Sequence, residues 1–323
     1  MKKILYLYGE IHGSEVINYT EFELWNNFYK TGLRHLFMEL PYFYTGFINR
    51  WMKMKDDQIL DELFIGDVVG DSEYDRNFFK QIKELCPETV FHGTDIGHKF
   101  DTLGTAYLKS LSPYSDEYKI TSENISQAKE YYDFIQESKN GDYSAGSHIR
   151  EKYMAKNFIR ELESVNSCDI VGIYGEAHLF SDSADTFGIE QNMLSMIEKY
   201  YANGINIEKT LVRDIITPIK KIKSIIFGKE YDISFFGGLY TPWDENADYI
   251  TFSKIENAFS HFKNLSKKDN IIPASMYPVT VLKNDVFIIE SFKNRKSVMK
   301  QLFICDDNSK DCGLLTTELD IKL

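Results

Sequence analysis

The chain has 323 residues, 43% hydrophobic, 27% charged and 15% aromatic, which is a globular composition with material for one large domain or two smaller ones. Its formal net charge of −12 would be repelled by phosphate backbones, so nucleic acid is excluded as a bulk partner. No stretch approaches the roughly 18 apolar residues of a membrane helix, and the expectation is a chain with no membrane partner.

The first apolar run, ILYLYGEIH from Ile4, breaks into Gly9, Glu10 and His12. Its apolar part, residues 4–8, is too short for the about 7–15 residues of a secretory core, so it is read as a first strand. Cys86, Cys168, Cys305 and Cys312 are scattered without a paired metal or redox spacing. Together these features suggest a reducing, cytoplasmic setting. Residues 14–32 read as a helix that ends on Gly32 as a C-cap.

A second run, LRHLFMELP, closes on Glu39 and Pro41, and mostly helical material follows up to Pro87. The third run, TVFHGTDIGH, carries Asp95 and His98 just past its end. The interval to the next strand is long for a single crossover. It holds helix-like stretches at 121–138 and 148–165, joined by the polar KNGDYSAGS, so residues 102–166 are expected to form a helical insertion or cap over the sheet rim. The fourth run, CDIVGIYGEAH from Cys168, ends in Gly175, Glu176 and His178.

Beyond residue 205 the texture changes to strand-like runs with turn signals, and LKND is expected as a hairpin between two of them. TPIKKIKSIIFGK, from Thr217, alternates Lys with Ile and reads as a half-exposed helix or strand. The fold class that follows is α/β: a mainly parallel central sheet flanked by helices, with a helical insertion and a β-rich C-terminal part. Residues 1–205 form the α/β domain. Residues 206–323 either extend its sheet or form a small subdomain.

Ligands of open α/β sheets bind outside the carboxyl ends of the strands. That rule selects Glu10 and His12, Glu39, Asp95 and His98, and Glu176 and His178. The frame Gly-Glu-x-His occurs twice, each time after an apolar run, with Gly9 and Gly175 expected to turn the chain sharply. A lone histidine of this kind would be a half-buried residue bonded to a neighbour; its repetition in one context argues that the two copies face a single site. Glu39, flanked by apolar residues, must be paired or functional. Asp95 is either part of the site or the cap of a following helix. His92 reads as packed inside its strand, and His35 and His261 as surface or helix positions without a functional role. Arg150, placed in the first turn of the 148–165 helix, opposes the helix dipole and calls for a carboxylate or oxyanion partner.

A histidine beside a carboxylate suits water activation, and two imidazoles with a carboxylate also suit a divalent metal; the sequence admits both uses. GxSxG, P-loop, GxGxxG and HExxH signatures are all missing, which disfavours a serine-type hydrolase.

The paired Gly-x-x-His motifs (Gly9–His12, Gly175–His178), Glu39 in MELP, and Arg150, Met154, Ala155 and Asn157 in an R-x-x-x-M-A-x-N helix resemble the superfamily that joins erythromycin esterase-like, ChaN-like haem-binding and Tiki-type proteins. The resemblance covers about residues 1–200. It implies an α/β sheet whose motif residues line one cleft. It further implies water activation against an ester in esterase-like members, metal-dependent peptide cleavage in Tiki-type members, and haem binding in ChaN-like ones. The first frame is one residue shorter between Glu and His than in esterase-like members, so it looks closer to the ChaN-like and Tiki-type branches and argues against macrolide esterase activity.

The combined expectation is a hydrolase acting on an ester, lactone or amide of a small-molecule or peptide substrate. Its catalytic residues would be Glu10, His12, Glu39, Arg150, Glu176 and His178. The alternative is a module that binds haem or another ligand without turnover.

Overall fold

Continuous apolar runs become strands covered on both faces. Four of them do so in the computed structural model of the chain, which describes residues 3–64, 73–137, 143–165, 169–181, 191–202, 204–241, 244–306 and 314–321. They are β1 (Ile4–Glu10), β2 (His35–Pro41), β3 (Val90–Asp95) and β4 (Ile170–Gly175). A fifth, β5 (Asn206–Leu211), completes a sheet of order β3-β2-β4-β1-β5 in which every pairing is parallel. β5 therefore carries the parallel sheet past the boundary expected at residue 205. Its NIEKTL sequence lies at the sheet edge, largely exposed, and so lacks the apolar run that marks the others.

The described helices are α1 (Glu15–Lys30), α2 (Tyr42–Trp51), α3 (Gln58–Leu63), α4 (Glu73–Leu85), α5 (Thr105–Lys109), α6 (Asp116–Glu137), α7 (Tyr143–Ser164), α8 (Met193–Tyr201) and α9 (Phe259–Phe262). α1 ends as expected: Gly32 has φ 105°, and the Leu33 N–H reaches back to the Phe28 carbonyl at 3.2 Å.

Strand side chains alternate between faces. Leu5, Leu7, Phe37, Ile170 and Tyr174 pack with Met154, Phe158 and Leu162 of α7 and Ile197 of α8. Leu36, Val171 and Ile173 pack on the opposite face with Trp25, Phe43, Trp51, Phe79 and Ile82. Burying each such side chain contributes about 1.5–3 kcal/mol relative to exposure. The expected cap is thus corrected in one respect. With Met154, Phe158 and Leu162 recurring every four residues, α7 is a helix that covers the sheet. It also begins within the stretch expected as loop. Gly146 lies inside the helix, where a Cβ would come 3.0 Å from Ile135 of α6; this glycine serves helix packing and not a turn.

A second compact unit comprises residues 11–20, 66–75 and 212–323, and its core is a separate seven-stranded antiparallel sheet. The strands are β6 (Lys220–Ile226), β7 (Lys229–Tyr240), β8 (Tyr249–Ile255), β9 (Lys267–Pro273), β10 (Val286–Lys293), β11 (Lys296–Cys305) and β12 (Leu315–Leu319), in the order β6-β7-β8-β10-β11-β12-β9. Ser14 bridges to Leu239 of β7, and the Tyr240 N–H donates to the Gly13 carbonyl at 3.0 Å.

The Lys/Ile stretch is the exposed edge strand β6, whose lysines discourage further strand pairing. LKND is not a hairpin loop. It is a turn before β10, closed by Asp285 accepting the Leu282 N–H at 2.8 Å, and the preceding Tyr277 is spent on the core. The hairpin is instead β10–β11, which turns through Asn294 and Arg295, both at positive φ. No helix among the described residues is long and apolar enough to cross a membrane.

Candidate functional site

Parallel pairing puts the carboxyl ends of β1 to β5 on one rim. β4 lies between β2 and β1, so the segment Gly175-Glu176-Ala177-His178 opens at the middle of that rim. Glu10 is paired in register with Gly175, on one side of it. On the other side β2 carries a β-bulge: Met38 faces Gly93 and Pro41 faces Asp95, so Glu39 and Leu40 together oppose Thr94. Strand alternation puts Glu39 on the face of Phe37, the one that α7 covers, and the bulge interrupts the ladder at Glu39 and Leu40. Gly93 permits the close approach, since a Cβ there would lie 2.4 Å from the Pro41 carbonyl oxygen.

Glu39 is the hub of a buried charge network. Its Oε1 accepts from Arg150 Nη2 at 2.6 Å and from His178 Nε2 at 3.1 Å, and its Oε2 accepts from the Gly175 N–H at 2.7 Å. Arg150 also grips Asp95 through both oxygens, Nε to Oδ1 at 3.0 Å and Nη2 to Oδ2 at 2.8 Å. Glu151, the next residue on α7, accepts from His178 Nδ1 at 2.5 Å and from the Met193 N–H at 2.6 Å, at the start of α8.

The electrostatics follow from this geometry. Burial works against charge on His178, but the negative charge of Glu39 and the hydrogen bonds to Glu151 and Glu39 outweigh it and lift its pKa to about 9. The ring therefore carries a proton at neutral pH and donates from both nitrogens. Burial likewise opposes charge on Asp95, yet the charge and hydrogen bonds of Arg150 hold its carboxyl below the usual range. Arg150, opposed by burial too, is driven still further toward its charged form by Asp95 and Glu39.

Of the residues expected from sequence, Glu39, Arg150 and His178 are thus brought together. Glu176 is buried in the 3-10 turn Glu176–His178, and Glu10 is buried at the end of β1. Strand alternation starts the Glu10 side chain on the face of Tyr6 and Tyr8. His12 lies in the turn after β1, in the segment 11–20 that belongs with the second unit.

Arg150 has the carboxylate partners expected of it, but for a different reason than its place in the helix. α7 starts at Tyr143, so Arg150 is well past the first turn and pays no dipole penalty. Asp95 is one of those partners and not a helix cap; its Oδ1 also accepts the Ile96 N–H at 2.7 Å. The glycines act by a different means than expected. Gly175 has φ −53° and ψ 137°, open to any residue, and contributes its N–H. Gly9 makes room: a Cβ there would lie 2.8 Å from the Phe180 ring and 3.2 Å from the Glu176 Cα. His98 bonds the Tyr132 hydroxyl. His35 is half-buried at the start of β2, with its Nδ1 2.9 Å from His92 Nε2, and His92 Nδ1 lies 3.1 Å from Glu161; His261 lies in the short helix α9.

Sequence reasoning missed Glu151 as a site residue. Its signal is there in retrospect, because it heads the stripe of Ala155, Phe158 and Leu162 that is otherwise apolar, and its side chain is only 1% exposed. Also missed was the amide support beneath Asp95. Asn124 Nδ2 donates to the Asp95 carbonyl at 2.9 Å, and Asn157, the last residue of the R-x-x-x-M-A-x-N stretch, exchanges two hydrogen bonds with Gln127. Among the described residues no three His, Cys, Asp or Glu side chains are arranged to hold a metal ion.

No family model matches the chain. No curated protein matches it either. Two solved structures are similar. One is a Bacillus cereus protein, with TM-score 0.43 and 12% identity, aligned over 78% of this chain and 76% of that one. The other is a succinoglycan biosynthesis protein, with TM-score 0.43 and 15% identity, over 64% of this chain and 65% of that one. Likenesses of this degree fix neither family nor chemistry.

Proposed function

We propose that the chain is a hydrolase that adds water to the carbonyl of an ester, lactone or amide at this rim, in a small-molecule or peptide substrate. The observation that supports it best is the convergence of two cationic donors, Arg150 Nη2 and His178 Nε2, on one oxygen of Glu39. Cationic N–H groups gathered at one point of a water-poor crevice stabilise negative charge that develops on a carbonyl oxygen. A substrate that reaches this point competes with Glu39 for those donors.

In the proposed step the water oxygen bonds to the carbonyl carbon and the C–O or C–N bond to the leaving group breaks. The leaving group takes a proton from His178 Nε2. A rim carboxylate takes the proton that water loses, with Glu10 and Glu176 as candidates, and its return to His178 closes the cycle. The resemblance to the superfamily of erythromycin esterase-like, ChaN-like and Tiki-type proteins supports hydrolysis through its esterase-like and Tiki-type members, and Glu39 and the second Gly-x-x-His motif carry it here.

The test is a panel of esters, lactones and amides offered to wild type and to His178→Ala. Wild type should turn over at least one class, and the variant should lose about 10²-fold or more in kcat. Equal rates for wild type and variant, or a wild type inert across the panel that instead binds haem tightly, would overturn the proposal.

A further inference from the structure

We infer that Glu151 is the positioning residue of the site: its carboxylate fixes the His178 ring through Nδ1 and ties that ring to the first turn of α8, which leaves Nε2 as the nitrogen that exchanges a proton. For its catalytic consequence this rests on the hydrolase reading; for its structural content it does not.

Three observations carry the assignment. First, the two carboxylates on His178 are not equivalent. Glu39 shares its charge with Arg150 at 2.6 Å, whereas Glu151 faces His178 and a backbone N–H. Its contact to the ring is also the shorter, 2.5 Å against 3.1 Å. Second, both oxygens of Glu151 are committed to elements from different parts of the chain, one to the segment after β4 and one to the N-terminus of α8. A carboxylate at a helix N-terminus is favoured by the helix dipole, which holds it in place. Asn192 reinforces the link, accepting from the Ser195 N–H at 3.0 Å and donating to the Ala177 carbonyl at 3.3 Å, so α8 is anchored to the residue before His178.

Third, Glu151 follows Arg150 directly, and adjacent helix residues point about 100° apart. One turn of α7 thus sends a cation to Asp95 and Glu39, and an anion to His178. A base held by a third group that orients it is the general arrangement of an activated proton-transfer site. The groups around the His178 ring are then Glu39 and Glu151, with Arg150 and Asp95 behind Glu39.

The experiment is NMR of the full chain with histidine selectively labelled with nitrogen-15, His178 being assigned through His178→Gln. In wild type, the Nδ1 proton should be strongly deshielded and protected from exchange. If it is not, the assignment fails whatever any variant does. In Glu151→Gln, which keeps an acceptor for the Met193 N–H, the His178 midpoint should fall by about one pH unit or more. Asn192→Ala should weaken the α8 anchor while leaving that midpoint in place, which separates loss of a helix cap from loss of the ring contact.

With a turned-over substrate, Glu151→Gln should lower kcat about tenfold or more at near-constant KM, with the pH–rate limb moving by the same amount as the midpoint. An unchanged His178 midpoint in Glu151→Gln would overturn the inference. A shifted midpoint in a chain that hydrolyses nothing would sink the hydrolase reading and leave Glu151 as the positioning residue.

Discussion

Replacing Arg150 with Met keeps most of the side-chain volume and removes the guanidinium. Three charge-assisted hydrogen bonds are lost, two to Asp95 and one to Glu39, and both carboxylates are nearly buried, at 6% and 7% exposed. Breaking a buried ion pair on one side costs about 3–5 kcal/mol, because the partner is left charged and dry. Arg150 itself is 28% exposed, so water can enter where it stood, and the lower end, about 3 kcal/mol, is expected.

The pH dependence sharpens the test. In wild type Arg150 holds the Asp95 pKa low, so Asp95 contributes stability above the ordinary carboxylate range and loses it as pH falls. In the variant burial acts alone and pushes Asp95 the other way, toward its neutral form. The gap between wild type and variant should therefore be widest at neutral pH and narrow as pH falls toward about 4.5. Urea unfolding of both proteins at the two pH values measures it, followed by the fluorescence of the buried Trp25 and Trp51 in a Trp243→Phe background. A loss under about 1 kcal/mol at pH 7, or a gap of the same size at both pH values, would refute the idea that Arg150 neutralises buried charge.

His178 supplies the opposite sign. Its pKa is raised to about 9, so its contribution is complete below the unfolded value of about 6.5 and is lost as pH climbs through 9. About 3 kcal/mol of stability should disappear across that window in wild type and not in His178→Gln, and a flat wild-type profile from pH 6 to 9.5 would contradict it. Gly9→Ala should cost about 1–3 kcal/mol in thermal or urea unfolding, because its methyl would meet the Phe180 ring and the Glu176 Cα. Pairing it with Phe180→Leu should recover part of that loss; no recovery would place the strain elsewhere.

Much of the scaffold was legible because its signals are local. Four apolar runs that each end in Gly or Pro with an acid or histidine predicted strands covered on both faces, and the parallel sheet has them as β1 to β4. Gly32 predicted the end of α1 for the same reason, since only the backbone decides it. β5 was not legible, because an edge strand with a polar face carries no such run. LKND misled in the opposite way: its turn chemistry is real, but whether strands flank a turn depends on what the neighbouring residues bury against. Asn294 and Arg295, which carry the positive φ values, gave no comparable sequence signal.

For the site, the sequence by itself determined which kinds of residue gather at the strand ends. Glu39 and His178 could be named from residue type, spacing and apolar context, whereas Arg150 was singled out by a first-turn place that the helix does not give it. Only the tertiary structure decided their state. Glu39 is bound by Arg150, His178 and the Gly175 N–H, Arg150 is committed to two carboxylates that come from separate strands, and Glu151 holds His178 through Nδ1. The physical reason is that periodicity places a side chain on a face, whereas its charge, and so the proton it can give, is set by partners that only the fold brings near, from 27 residues away in sequence (Glu151 to His178) to 139 (Glu39 to His178).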